Sequence, residues 1–306
     1  MKKTLTLILS FVIPGMLLAQ QSQGDKLRRE GDLLGAIKAY KETFVASPAD
    51  QKNTYKLAST IALLYQMPDS AYHYLDLALE TDSSLWVLAD TDMISLKEDP
   101  RWKNIEQQQL RKYQQANGDL KDPEYARELL SMIGDDQALD YYIDMAKAYF
   151  AKEGKVPHWY YPLGKMKSEI SEGDFERLQQ LLQEKGWPNY SKVGELAADA
   201  LLLAINHHES DAVREMFIDR IKAACLAGEG SCMEYAKIQD RILVNKGELQ
   251  IYGMQFRYGK DRKLEPFPVE NSELVDQRRK AIGLEPLKVY LKRKIDFDWT
   301  VEQKKP

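Results

Sequence analysis

Two alanines set the first constraint on how this chain can fold. Ala36 lies in GDLLGAIKAYKETFVASPAD and Ala71 in MPDSAYHYLDLALETDSS, 35 residues apart, each within apolar spacing of helical period. A small residue returning at that distance implies paired helices that touch at a methyl group. Gly31 precedes the first such helix, Tyr40 follows Ala36 by one turn, and Pro48 terminates it; Leu75 and Ala78 follow Ala71 in the same way. One helical hairpin cannot bury its apolar face alone, so hairpins of this kind stack. A third and degenerate unit, LWVLADTDMISLKEDPRWKNI, reads as a cap. The expectation is a helical-repeat region over residues 21–117, with Tyr40, Tyr55, Tyr65, Tyr72 and Tyr74 as packing residues.

The first twenty residues read as something other than fold. MKKTLTLILSFVIPGMLLAQ opens on Lys2 and Lys3, runs apolar from Leu5 to Leu18, and reaches Ala19. Those are the charged, apolar and small-residue regions of a cleaved signal peptide. Pro14 and Gly15 interrupt the run, which is short for a spanning helix. Residues 1–20 are thus expected to be removed, giving a periplasmic or secreted protein with no transmembrane segment after cleavage. The formal net charge is −4, and no basic run occurs. Nucleic acid is therefore not an expected partner, since phosphate neutralisation supplies most of that affinity. Cys225 and Cys232, in AACLAGEGSCMEYA, are the two cysteines. An oxidising compartment permits a disulfide, and the Gly-Glu-Gly-Ser turn lets the chain double back. A bridge is expected over two free thiols.

Residues 118–306 read as a helical domain. KDPEYARELLSMIGDDQALDYYIDMAKAYFAKEG suggests two helices broken at Gly134, with Asp135 or Asp136 capping the second. PHWYYPLG reads as an aromatic loop. Leu178, Leu181 and Leu182 stripe a helix that ends at Gly186, before a rigid Trp187-Pro188 corner. Ser191 is expected to cap a helix over residues 192–206. Its core, LAADALLLAI, is apolar almost all round, which marks a central helix, and Gly194 lets a neighbour approach. That helix delivers Asn206, His207 and His208. Adjacent histidines diverge on a helix, and HExxH is absent, so neither a metal nor a cofactor is expected. Helices over 211–227 and 232–245 follow. The second carries Asp240-Arg241 among Ile238, Ile242 and Leu243, so one of these charges needs a buried partner.

After Gly247 the pattern changes. ELQIYGMQFRY favours strand through Ile251, Tyr252, Phe256 and Tyr258; Gly259-Lys260-Asp261 signals a turn, and RKLEPF a return. The fold class expected is mainly α, with one small β-hairpin. On a regular strand Gln250 and Gln255 face opposite ways; a bulge at Gly253 would bring both amides together. Two amides among aromatics either orient a ligand or satisfy buried backbone. VENSELVDQRRKAIGL then carries a helix capped by Asn271 or Ser272. Arg278 and Arg279 suit a carboxylate or phosphate, or a pairing with Asp240 or Glu273.

The alanine spacing of the first region resembles tetratricopeptide repeats, whose period is about 34 residues. The later set is Gly186-Trp187-Pro188, Gly194, Asn206-His207, Asp240-Arg241, Gln250-x-Tyr252-Gly253-x-Gln255, Arg278-Arg279 and Gly283-Leu284. In that order it resembles an uncharacterised bacterial domain of unknown function that often follows such repeats in exported proteins. The resemblance spans about Gly118 to Arg293 and implies a shared site without naming a reaction. The chain departs from it at Asn206, where Gln is usual, and at Met254, where Thr is usual. The domain's upstream Asp-Gln is met by Asp136-Gln137, but Leu139 and Asp140 stand where Arg is expected.

Two functions follow as expectations. The first is an exported binding or assembly module for a protein, peptide or envelope ligand, with Trp187, Arg241, Gln250, Tyr252, Gln255, Arg278 and Arg279 as binding residues. The second is an envelope hydrolase in which His207 is the general base and Asp240 orients it. No GxSxG, Walker loop or lone catalytic Cys appears, so activated water is the form such a mechanism takes.

Overall fold

The computed structural model describes residues 22–304; the expected signal peptide lies outside the described residues. The described chain is mainly α, with one two-stranded antiparallel sheet. It divides into two compact units after Thr81.

The first unit holds α1 (Gln23–Arg29), α2 (Leu33–Ala46), α3 (Gln51–Ala62) and α4 (Pro68–Leu79). Each start has a local cause. Ser22, Asp32 and Asp50 accept backbone N–H groups at the first three N-termini, and Pro68 opens α4. Consecutive helices pack as neighbours, with Ala36, Leu57, Ala71 and Leu75 fully buried. Tyr40 is buried and donates to Asp25, which also pairs with Lys56 at 2.6 Å. Its ring fits because Gly24 has no side chain: a Cβ there would stand 2.4 Å from the ring. Tyr72 is buried as expected, but Tyr65 is 70% exposed and packs against little.

The second unit begins at Asp82, upstream of the expected boundary at residue 117. It opens with α5 (Trp86–Ala89), a 3-10 turn (Thr91–Met93), α6 (Ile94–Lys97) and α7 (Trp102–Asn117). α8 (Pro123–Gln137), α9 (Asp140–Glu153), α10 (Tyr160–Lys185) and α11 (Tyr190–Val193) follow. α12 (Glu195–His207), α13 (Asp211–Leu226) and α14 (Cys232–Asn245) complete the main body. The degenerate cap belongs here because Val87, Leu88 and Ala89 of α5 are buried, and α5 packs on α8.

α12 is the central helix. It touches α8, α10, α13 and α14, with Ala197, Leu201 and Ile205 fully buried. It starts at Glu195, one turn later than expected, with Gly194 at the N-cap position, because Ser191 belongs to the separate short α11. Gly194 has φ +85°, and a Cβ would lie 3.1 Å from Tyr113 Oη. Cys225 and Cys232 form a disulfide that ties the end of α13 to the start of α14.

Two breaks fall elsewhere than expected. α8 runs through Gly134 to Gln137, so Asp135 and Asp136 are helical residues and not caps. Gly134 serves packing: a Cβ would lie 2.6 Å from Lys97 Nζ and 3.3 Å from the Ala89 carbonyl. PHWYYPLG is loop only at its start. From Tyr160 it is the first turn of α10, where Pro162 costs no intrahelical bond.

The hairpin is β1 (Phe256–Tyr258) and β2 (Leu264–Pro266), with Arg257 opposite Glu265. Residues 249–255 do not join it, apart from one parallel bridge from Gln250 to Val269. The N–H groups of residues 251, 252 and 254 are taken by one side chain. The Asp240 carboxylate accepts from Ile251 at 2.8 Å, Tyr252 at 3.0 Å and Met254 at 2.9 Å. A 3-10 turn (Ser272–Leu274), α15 (Val275–Ala281) and α16 (Leu287–Ile295) close the unit.

Candidate functional site

The residues singled out by sequence separate into two places. One is a polar knot around the loop 250–255. Asp240 is fully buried and holds three backbone N–H groups of that loop; burial pushes its carboxyl up to about 6 against their pull. Gln250, also fully buried, donates to the Phe267 carbonyl at 2.7 Å and accepts from Gln255 N at 2.8 Å. Gln255 donates to the Lys237 carbonyl at 2.9 Å. Arg278 donates to the Ile251 carbonyl at 2.9 Å. Arg279 is fully buried, reaching the Tyr252 carbonyl at 2.6 Å and the Glu285 carbonyl at 2.7 Å, with its guanidinium 4.9 Å above the Tyr290 ring. Each of these side chains holds main chain. Gly253 completes the knot with φ +78°, in a place where a Cβ would meet Leu287 at 2.5 Å. The two amides converge through this loop and not through a strand bulge.

The second place is a cavity of about 680 Å³ between α9, α10 and the C-terminal end of α12. Among the expected site residues it gathers His207 and Arg241; Trp187, Asp240, Gln250, Tyr252, Gln255, Arg278 and Arg279 do not line it. Trp187 instead stacks under Arg220, 4.5 Å away, beside Phe217.

His207 arrives at this cavity as the last residue of the central helix. Its Nδ1 lies 3.1 and 3.0 Å from the two oxygens of Asp136. The carboxylate that faces His207 is Asp136 and not Asp240, whose oxygens are committed to the loop. Asp136 is 4% exposed. Burial alone would raise its pKa, but the His207 hydrogen bond and the charges of His207 and Lys167 outweigh it and bring the carboxyl down to about 2. Lys167 of α10 bridges Asp136 at 3.1 Å and Asp140 at 3.2 Å. Its ammonium also reaches the Asp136 carbonyl, and Ser171 Oγ contacts the same carboxylate. With Nδ1 facing a carboxylate, the neutral ring carries its proton there. Nε2 makes no hydrogen bond to the described residues.

Behind the dyad, Asp174 sits on the same α10 stripe as Lys167 and Ser171, seven residues beyond the first and three beyond the second. Burial, then the charges of Asp135 and Asp136, push its carboxyl up to about 7. His208 takes no part in the dyad: its Nδ1 accepts from Ser210 N, and its ring meets Phe175 edge-on. Arg241 of α14 donates to the Asn206 carbonyl at 2.6 Å. Among the described residues no cluster of metal-ligating side chains occurs.

The sequence offers Asp135 or Asp136 as a cap, and it does not single out Lys167. The signal for Asp136 was Asp136-Gln137 in the resemblance; nothing in the local sequence marks Lys167. A family model described as a family of unknown function, DUF6624, matches residues 123–299, which include α8 to α16 and both places above. No curated protein and no solved structure matches the chain.

Proposed function

Taking as premise that the chain belongs to this family of unknown function, we propose that its second unit is a hydrolase of the cell envelope acting through His207. The observation that carries this reading is the Asp136–His207 pair at the edge of a cavity large enough for a small ligand. The Asp136 carboxylate fixes the tautomer and stabilises the imidazolium that forms. Nε2 takes a proton from a water molecule, which attacks the substrate; Lys167 holds the carboxylate in register, and Arg241 supplies positive charge beside the reacting group. A base placed in this way contributes typically about 10²–10⁴ in rate.

Export supports the same reading: the leader-like first twenty residues and the Cys225–Cys232 disulfide fit an oxidising compartment. The first unit, with Ala36 and Ala71 buried on the second helices of successive hairpins, fits tetratricopeptide-like repeats. A binding role for that unit is the second reading. It rests on the shallow groove along α2, where Leu34 and Val45 are 69% and 79% exposed beside Lys38, Lys41 and Glu42.

The test is a panel of chromogenic esters, amides and phosphoesters, with parent, His207→Ala and Asp136→Asn compared. Turnover that falls at least about a hundredfold in His207→Ala is expected. Failure of the parent to turn over any of the panel, or turnover indifferent to His207, would sink the hydrolase.

A further inference from the structure

The charges of the His207 cavity do not all have partners, and the unmatched ones are unlike in sign. Four carboxylates and three cations line it: Asp140, Asp144, Glu172 and Glu209 against Lys147, Lys167 and Arg241. Lys147 pairs with Asp144 at 3.0 Å. Lys167 is divided between Asp136 and Asp140. That leaves Arg241, partly buried, whose contact is the Asn206 carbonyl and which has no carboxylate within 4.0 Å among the described residues. Burial, then the neighbouring Arg214, act against its charge and outweigh Asp211 and Glu234, which favour it, so an anion placed directly beside it would be favoured.

At the mouth the sign reverses. Glu172 and Glu209 are exposed, and neither has a Lys or Arg partner within 4.0 Å among the described residues. Both approach one hydroxyl: Ser168 Oγ lies 2.7 Å from Glu209 and 3.4 Å from Glu172. A serine has one proton to donate, so it satisfies at most one of the two carboxylates and leaves the other open to a cation.

From this arrangement we infer that the cavity takes a zwitterionic substrate, a short peptide or related amino-acid conjugate. Its carboxylate lies on Arg241, its ammonium group between Glu172 and Glu209, and its amide beside His207. The inference rests on the hydrolase reading and adds the substrate class. Guanidinium matches a carboxylate through two parallel N–H donors, and a paired acidic rim suits an ammonium. In the reaction the water oxygen forms the new C–O bond and the amide C–N bond breaks. The proton held on Nε2 passes to the leaving nitrogen, giving a carboxylate and an amine.

The experiment uses the exported chain carrying His207→Ala, so that binding is read without turnover. The probes are alanyl-alanine, its N-acetyl derivative and its C-terminal amide, titrated calorimetrically at millimolar concentration. The free dipeptide is expected to bind at least about tenfold more tightly than either blocked form, since each blocked form forfeits a charged pairing. Arg241→Gln should erase the penalty for the amide alone, and Glu172→Gln with Glu209→Gln the penalty for the N-acetyl form alone. Equal binding of the three probes, or binding of none, overturns the inference, and so do penalties that survive these substitutions. The outcomes separate from those above. His207-dependent turnover of the chromogenic panel with no dipeptide selectivity sinks only the substrate class. Selective dipeptide binding without turnover sinks the hydrolase and leaves a peptide-binding cavity.

Discussion

Replacing Arg279 by methionine distinguishes a framework residue from a site residue. Methionine keeps the stem that fills the space against Tyr290 but removes the guanidinium. Two charge-assisted hydrogen bonds disappear, to the Tyr252 carbonyl at 2.6 Å and the Glu285 carbonyl at 2.7 Å. Each such bond is worth about 1.5–3 kcal/mol, and both carbonyls then lack their guanidinium partner. The change also returns something. Arg279 is fully buried, its Nη2 has no partner among the described residues, and a buried charge costs several kcal/mol to desolvate. Two bonds at that net value sum to about 3–6 kcal/mol, and relief of the unpartnered Nη2 places the expected loss at the lower end, about 3 kcal/mol. For a unit of this size that is about 6–12 °C in Tm. The assay is urea unfolding followed by tryptophan fluorescence, which reports on the second unit because Trp86, Trp102, Trp159, Trp187 and Trp299 all lie in it. His207→Ala, measured alongside, should change stability by no more than about 1 kcal/mol. An Arg279→Met midpoint within about 1 kcal/mol of the parent would refute the view that the knot is architectural.

Three further outcomes follow from the same geometry. Asp174 ionises near 7 when folded against 3.8 for an isolated aspartate side chain, so the folded chain holds the extra proton and its contribution to stability is lost as pH rises from about 4 to about 7; discounted for partial exposure, Asp174→Asn should be about 1–2 kcal/mol more stable than the parent at pH 8 and no more stable at pH 4, by denaturation at both values. Gly253→Ala must accept φ +78° and a contact of 2.5 Å with Leu287, which should cost about 2–4 kcal/mol in the same fluorescence assay. Reducing the Cys225–Cys232 bridge opens a short loop of separation 7, and Cys225→Ser with Cys232→Ser should lose about 2 kcal/mol in a thermal melt unaffected by added thiol.

What was legible in the sequence is what local chemistry decides. The apolar circumference of LAADALLLAI marked the central helix, and the Gly-Glu-Gly-Ser turn between two cysteines marked the disulfide. Gly186 ended its helix as a C-terminal glycine should. The β-hairpin was legible too, but not its length, because the N–H groups of residues 251, 252 and 254 go to the Asp240 carboxylate on α14. Gly134 misled for a related reason. A helix-breaking residue was tolerated because Lys97 and the Ala89 carbonyl press on it, and nothing adjacent in sequence announces that contact.

The site shows the same division. His207 and Arg241 stood out as polar residues bordering apolar stretches, and both reach the cavity. Their working partners did not stand out. Asp136 becomes an orienting carboxylate only when α8 lies against the end of α12, and Lys167 only when α10 crosses both. Conversely, the QxYGxQ loop with its Asp and two Arg looked like a ligand cluster because buried main chain demands the same polar side chains that a ligand would.

His207 can serve as a base only if Asp136 poises it, and the tautomer of its ring tests that most directly. In a long-range proton–nitrogen NMR spectrum at a pH where the ring is neutral, the prediction is a proton on Nδ1 and a bare Nε2. That preference should weaken in Asp136→Asn. A neutral ring protonated on Nε2, unchanged by Asp136→Asn, would contradict it.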